Sequence, residues 1–329
     1  MSDKTRTMRR WLIGVWIAAA IIMAGYYALW RYAAGVMETS VVDWVEDQRA
    51  AGLTVNHGAI KRDGFPFFLR VHIDAPHIDS PGAFSWNAER LSIDALPYDL
   101  NRLIFSPSGK QRLAAEAIGD WAYSADDIRA SIANDKKRGW VFSMNIDSAR
   151  AVGADGAESR IESLVYDLAP AADAPTTLTL NLIGAGYSFR DTQRAIAVDL
   201  LETSLSASQT DFLTGPNAAT RWRNAGGAVN IHGFNAAIDE ARLSVSGSIS
   251  LDEENRPDGV LTTILTKPAG LAGALAASGA LSAEEADATI AGLTLAAMAQ
   301  GGRIETPIEL HAGAATIAGV KVADLPSIP

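Results

Sequence analysis

The sequence predicts a mainly β protein with minor α: an N-terminal transmembrane helix, then a large antiparallel β-sheet ectodomain, twisted or groove-like, with a few C-terminal helices. Three observations predict it. Residues 11–30, WLIGVWIAAAIIMAGYYALW, form a run of twenty without a charge. Beyond Gly52 the apolar period changes from helical to two. Turn chemistry then falls between the alternating segments.

A helix over residues 11–30 spans about 30 Å, the thickness of a bilayer's hydrocarbon core. Trp11 stands at one end of it and Tyr26, Tyr27 and Trp30 at the other, where amphipathic rings favour the interfaces. Lys4, Arg6, Arg9 and Arg10 precede it against one Asp3, so the N-terminus is expected in the cytoplasm and the bulk of the chain across a bacterial inner membrane, in the periplasm. A cleaved signal peptide is the competing reading, with the same topology. The run is longer than a usual signal core, however, and Arg31 separates it from the small cluster Ala33-Ala34-Gly35. The expected organisation is a basic tail (1–10), an anchor (11–30), a juxtamembrane helix (31–52) and a β-rich domain (53–329).

The juxtamembrane helix rests on Met37, Val41, Trp44, Val45 and Gln48, with Gly52 as its stop. After it, Phe67-Leu69-Val71-Ile73, Trp140-Phe142-Met144-Ile146, Leu178-Leu180-Leu182 and Leu243-Val245-Gly247-Ile249-Leu251 each alternate with polar residues. Shorter strands are expected at 91–95, 161–168, 195–200, 228–231, 260–265 and 315–322. Turns are expected at Ser80-Pro81, Ser106-Pro107, Gly153–Gly156, Gly184-Ala185-Gly186 and Pro257-Asp258-Gly259. Helices are expected at 268–277, at 282–300 behind the capping box Ser282-x-x-Glu285, and more weakly at 125–134.

Composition excludes several functions. The chain's net charge is −10, and because its first ten residues are net positive the remainder is more acidic still. That repels phosphate backbones, so no nucleic-acid partner is expected. There is no cysteine, hence no disulfide, thiol nucleophile or Cys-held metal. His72-Ile73-Asp74 and His77-Ile78-Asp79 repeat a ligand-like pattern, but a spacing of five places the two imidazoles on opposite faces of a strand, unless Pro76 introduces a bend. No nucleophile elbow and no phosphate loop occurs. No enzyme activity, cofactor or metal is expected.

Asp63-Gly64-Phe65-Pro66-Phe67-Phe68-Leu69-Arg70 is a structural motif, a glycine–aromatic–proline break ahead of an apolar strand, and the simplest expectation for it is a core-facing strand start. The spacing Gly58-x4-Asp63-Gly64-Phe65-Pro66-Phe67, behind a basic tail and one anchor, resembles the alphaproteobacterial domain-of-unknown-function family numbered 2125. Ser246-Gly247-Ser248-Ile249, Asp258-Gly259 and Gly313-x5-Gly319-x5-Leu325-Pro326 carry the same resemblance through the C-terminal half. The ending is also similar, more loosely, to AsmA-like envelope proteins. That second resemblance implies a periplasmic β-groove whose apolar face holds phospholipid acyl chains, with Leu69, Val71, Ile73, Trp140, Phe142, Met144, Ile146, Leu180, Val245 and Ile249 as candidate lining. Neither resemblance supplies catalytic residues.

Two functions follow as expectations. One is an inner-membrane-anchored protein that holds or transfers phospholipid chains. The other is an envelope scaffold with a closed β core, no lipid and a protein partner.

Overall fold

The 3.6-residue apolar period runs on through Arg31, and the first element is accordingly one uninterrupted helix, α1 (Asp3–Ala50), of 48 residues. It is long and apolar enough to cross a membrane. It stops where Gly52 turns to φ +95°, with the Gly52 and Leu53 N–H groups donating to the Arg49 and Gln48 carbonyls at 3.1 and 3.0 Å. The computed structural model describes all residues except 1–2, 117, 193, 269, 272, 275–282, 318–319 and 329. The chain forms two compact units, Met1–Gln111 and Arg112–Pro329.

In the first unit the strands are β1 (Thr54–Asn56), β2 (Ile60–Asp63), β3 (Leu69–Asp74), β4 (His77–Ser80), β5 (Phe84–Leu96) and β6 (Asp99–Ala115), in which the unit boundary falls. β2 pairs β3 and β3 pairs β5, with Leu69 opposite Ala95. Ala75, at φ +46°, and Pro76 interrupt the middle strand, and β4 resumes the pairing with β5 on one side and β1 on the other. Alternation then divides the faces. Leu69, Val71 and Ile73 turn to α1, where Trp30 and Ala34 pack on Leu69 and Ala95, and Met37 and Val41 on Val71, Ile73 and Ile93. Arg70, on the opposite face, donates twice to Asp94, at 2.5 and 2.7 Å. The helical stripe is Met37, Val41 and Val45; Trp44, grouped with them by spacing, is 47% exposed.

The second unit contains β7 (Gly119–Ser124), β8 (Asp127–Asp135), β9 (Gly139–Gly153), β10 (Glu158–Ala171), β11 (Ala174–Arg190), β12 (Ala195–Ala207), β13 (Val229–Ile238), β14 (Ala241–Leu251), β15 (Pro257–Thr266), β16 (Arg303–His311), β17 (Ala314–Ile317) and β18 (Val320–Asp324). From β8 onward every strand pairs antiparallel with the next. β7 takes the Arg150–Gly153 end of β9, and β8 takes the rest of that edge, with Ser148 at φ +52° between them. Helix α2 (Ala218–Asn224) lies between β12 and β13, and α3 (Ala283–Ala299) between β15 and β16.

The structure corrects several sequence expectations. Residues 125–134 are not helical: β8 places Ile128, Ala130 and Ile132 on one face, so the two-residue period outweighs helix propensity there. Gly184-Ala185-Gly186 is not a turn but the interior of β11. A Cβ on Gly186 would lie 2.4 Å from Glu162 Cδ, so the glycine makes room for a cross-strand side chain. Pro257-Asp258-Gly259 opens β15, and the turn lies just before it, where the Asp252 carboxylate accepts the Glu254 and Arg256 N–H groups. Ser106-Pro107 lies within β6, since proline's fixed φ is compatible with extended backbone. Of the helix expected at 268–277, residues 270, 271, 273 and 274 are helical, whereas 269, 272 and 275–277 lie outside the described residues, as does the capping residue Ser282.

Gly259 shows how tightly β14 and β15 approach. Its φ is +157°, and a Cβ there would lie 2.2 Å from the Ser248 carbonyl oxygen, a backbone atom that cannot swing away. Gly259→Ala is therefore expected to destabilise the second unit by about 1–3 kcal/mol. Thermal unfolding of the full chain in micelles, followed by far-UV circular dichroism, measures it, and an unchanged midpoint would contradict this close approach.

Candidate functional site

Strict alternation in long antiparallel strands puts every second side chain of the second unit on one face, and cross-strand register aligns those side chains into rows. One row runs Ile132, Phe142, Leu168, Leu180, Leu205, Ile231, Gly247, Leu261, Ile308, Ile317, across ten strands from β8 to β17. A parallel row beside it runs Met144, Tyr166, Leu182, Thr203, Phe234, Val245. The next runs Ile146, Leu164, Gly184, Leu201, Ala236, Leu243, Leu265, Ile304. On the other face stand Ser143, Asp167, Asn181, Glu202, Asn235, Ser244, Ser246, Thr262, Glu305 and Glu309.

This apolar face is not a filled core. Phe142, Leu168, Leu180, Leu205, Ile231, Leu261, Ile308 and Ile317 are each half-buried, and Ile132 is 36% exposed. Both clusters of buried apolar side chains found among the described residues lie in the first unit. Among the described residues, the buried apolar side chains of the second unit are alanines apart from Trp222, Leu265 and Leu310.

Of the ten candidate lining residues, the structure brings seven together. Phe142, Met144, Ile146, Leu180, Val245 and Ile249 share the apolar face, and Trp140 joins them at the start of β9, 66% exposed. The other three, Leu69, Val71 and Ile73, lie at 6% exposure or less beneath α1 in the first unit. Leu168, Leu205, Ile231, Leu261 and Ile308 belong to the row although spacing did not single them out as lining. A bulge at His232-Gly233 keeps Ile231 and Phe234 on the same face three residues apart, so a period of two loses the signal there.

The two ends of the face differ. At one end α2 closes over the β12–β13 connection. Trp222, 6% exposed, donates its indole N–H to the Ser208 carbonyl at 2.6 Å, and Arg223 reaches the Asp252 carbonyl and the Asn255 side chain. At the other end a cavity of about 900 Å³ opens, lined by Glu158, Arg160, Arg190, Asp199, Glu240 and Lys267 beside the small Ala195, Ala197 and Gly270. The same parity that carries leucines in mid-strand carries charges here, so the face grades from apolar to zwitterionic along the strands. Among the described residues no group of three or more His, Asp or Glu is placed to hold a metal ion.

The motif Gly64-Phe65-Pro66-Phe67 lies in the first unit, as the turn between β2 and β3 rather than as a core-facing strand start: Phe65 is 40% exposed and Phe67 73%. Gly64, at φ +97°, accepts the Phe67 and Phe68 N–H groups on its carbonyl, and a Cβ there would meet the Phe68 carbonyl oxygen at 2.7 Å. The Asp63 carboxyl is held below its ordinary value, first by the Gly64 N–H that donates to it, against partial desolvation, with His72 and Arg70 adding to the effect. Tyr26 donates its hydroxyl to the Pro66 carbonyl, and Trp30 its indole N–H to the Phe68 carbonyl at 2.7 Å.

A family model described as "Uncharacterized protein conserved in bacteria (DUF2125)" matches residues 30–326. No curated protein and no solved structure matches the chain.

Proposed function

We propose, from the premise that the chain belongs to the DUF2125 family, that it is a non-enzymatic, inner-membrane-anchored protein of the bacterial envelope that holds or transfers phospholipid acyl chains on the apolar face of its second unit. In this reading α1 spans the membrane with its basic end in the cytoplasm, and both β units work in the periplasm, an AsmA-like role. The observation that carries it is the apolar row from β8 to β17, interrupted at Gly247 and left half-buried where a closed sandwich would have filled it. Exposed apolar surface of that extent favours an occupant, and each methylene it removes from water contributes about 0.8 kcal/mol. An acyl chain matches the row in being linear, apolar and unspecific in register. The zwitterionic cavity at the end of the face has the chemistry of a phospholipid headgroup, with Arg160, Arg190 and Lys267 for a phosphate and Glu158, Asp199 and Glu240 for an ammonium.

The test is photocrosslinking of the full chain in membranes, with benzoylphenylalanine placed at Leu205 on the apolar face or at Ser246 on the polar face. Phospholipid adducts, identified by mass spectrometry, are expected at Leu205 and not at Ser246. Equal adducts at both positions, or protein adducts alone at Leu205, would replace this reading with that of an envelope scaffold.

A further inference from the structure

The packing of α1 on the first unit fixes which end of that unit faces the membrane. Trp30 packs on Leu69 and Ala95, the last residue pair of β3 and β5, while Met37 and Val41 pack further along, on Val71, Ile73 and Ile93. The helix therefore runs along the sheet, with residues 11–29 projecting past the Leu69–Ala95 end. Two loops leave the sheet at that same end. One is Gly64–Phe68, and the other is the turn around Pro97 and Tyr98 that joins β5 to β6.

Both loops expose rings. Phe67 is 73% exposed, Phe68 43%, Tyr98 83%, and Leu100 beside it 61%. For a protein surface in water this is an unfavourable place to concentrate large apolar side chains. The depth of the first loop along α1 is set by direct contacts. Tyr26 holds the Pro66 carbonyl, Trp30 holds the Phe68 carbonyl, and the Phe65 ring packs edge-on against Tyr27 and Trp30 at 5.2 and 5.5 Å between centroids. Tyr26 to Trp30 is the last turn of the uncharged run, immediately before Arg31, and a helix that spans a bilayer has its outer interface there.

We infer that the Phe65–Phe68 loop is a second membrane contact, its exposed rings lying in the headgroup–acyl boundary of the same bilayer that α1 crosses. The occupant of this apolar patch is the lipid surface, because the loop is bonded to the helix at interfacial depth and has no freedom to sit elsewhere. Aromatic rings are the side chains that partition best into that boundary. One helix alone leaves a domain free to tilt; a helix with a lateral aromatic foot fixes its attitude above the membrane. The inference rests on α1 being inserted, and it is independent of what the second unit binds.

The chain has no cysteine, so a single introduced thiol can be labelled uniquely. Full-length Phe67→Cys, Leu29→Cys and Ala83→Cys, each carrying the environment-sensitive fluorophore NBD, are reconstituted in phosphatidylcholine/phosphatidylglycerol vesicles with and without nitroxide-labelled lipid. Phe67 and Ala83 are both exposed, at opposite ends of the first unit's sheet, so neither change disturbs packing. Nitroxide lipid is expected to remove about half or more of the emission at positions 29 and 67 and to leave position 83 unchanged. Quenching at 29 with position 67 behaving like 83, or equal quenching at 67 and 83, would overturn the inference while leaving the anchor standing. No quenching at 29 would overturn the anchor itself, and this inference with it.

Discussion

Leu205→Glu is expected to lower the lipid capture proposed for the second unit by about tenfold or more while leaving that unit folded. Leu205 lies near the middle of the longest apolar row, between Leu180 and Ile231. In the free protein it is only half-buried, so a glutamate can keep its carboxylate in water, and the loss of stability should stay near 1–2 kcal/mol. An acyl chain laid along the row would cover that carboxylate. Desolvating an unpaired charge costs several kcal/mol, and each 1.4 kcal/mol is a factor of about ten in affinity. The adduct yield from a photoreactive group placed at Ile231 in the Leu205→Glu background should therefore drop by about tenfold or more. Ser246→Glu, on the opposite face, should leave that yield unchanged. Retained capture in Leu205→Glu would show that lipid does not use this row.

Leu69→Ala should act in the other way, on stability alone. Leu69 is 1% exposed and enclosed by Trp30, Ala34 and Ala95, so truncation leaves a cavity between α1 and β3. The expected cost is about 2–5 kcal/mol, read as lost hydrogen-exchange protection in β3, β5 and the 34–45 stretch of α1 in the reconstituted full chain. Phe142→Ala, at a half-buried position of the row, should cost the second unit clearly less than truncation of a fully enclosed phenylalanine, about 3–5 kcal/mol. If Phe142→Ala cost the full ~3–5 kcal/mol of an enclosed phenylalanine, the contrast between a filled first unit and an open second one would be wrong.

Those two residues belong to one group in the sequence, and their separation shows where the sequence stops being legible. Leu69 and Phe142 sit in strands with the same alternation, and alternation reports only that one face is apolar, not what covers it. Coverage is decided by α1, whose residues Met37 and Val41 pack on β3, whereas among the described residues no helix packs on β9 in the same way. The β-rich class, the single long helix and its stop at Gly52 were readable, because periodicity and glycine report them locally. Glycine and proline misled within the strands. Gly186 and Gly259 look like turn residues, yet each sits where a neighbouring strand or side chain comes close, a fact that belongs to the partner strand. The motif at Gly64–Phe67 was visible as a break. Its relation to Tyr26 and Trp30, some forty residues upstream, was not, since only the packing of α1 brings them together.

The order of the strands in the second unit has a kinetic consequence. From β8 to β18 each strand finds its hydrogen-bonding partner in the segment that follows it, with no strand waiting for one from a distant part of the chain. Apart from the two connections that carry helices, β12–β13 and β15–β16, loop closure is then a short, repeated step, cheap in chain entropy compared with the long-range pairing that slows most β proteins. A polypeptide synthesised from its N-terminal end can zip up largely hairpin by hairpin as it emerges, each new strand covering the sticky edge left by the one before.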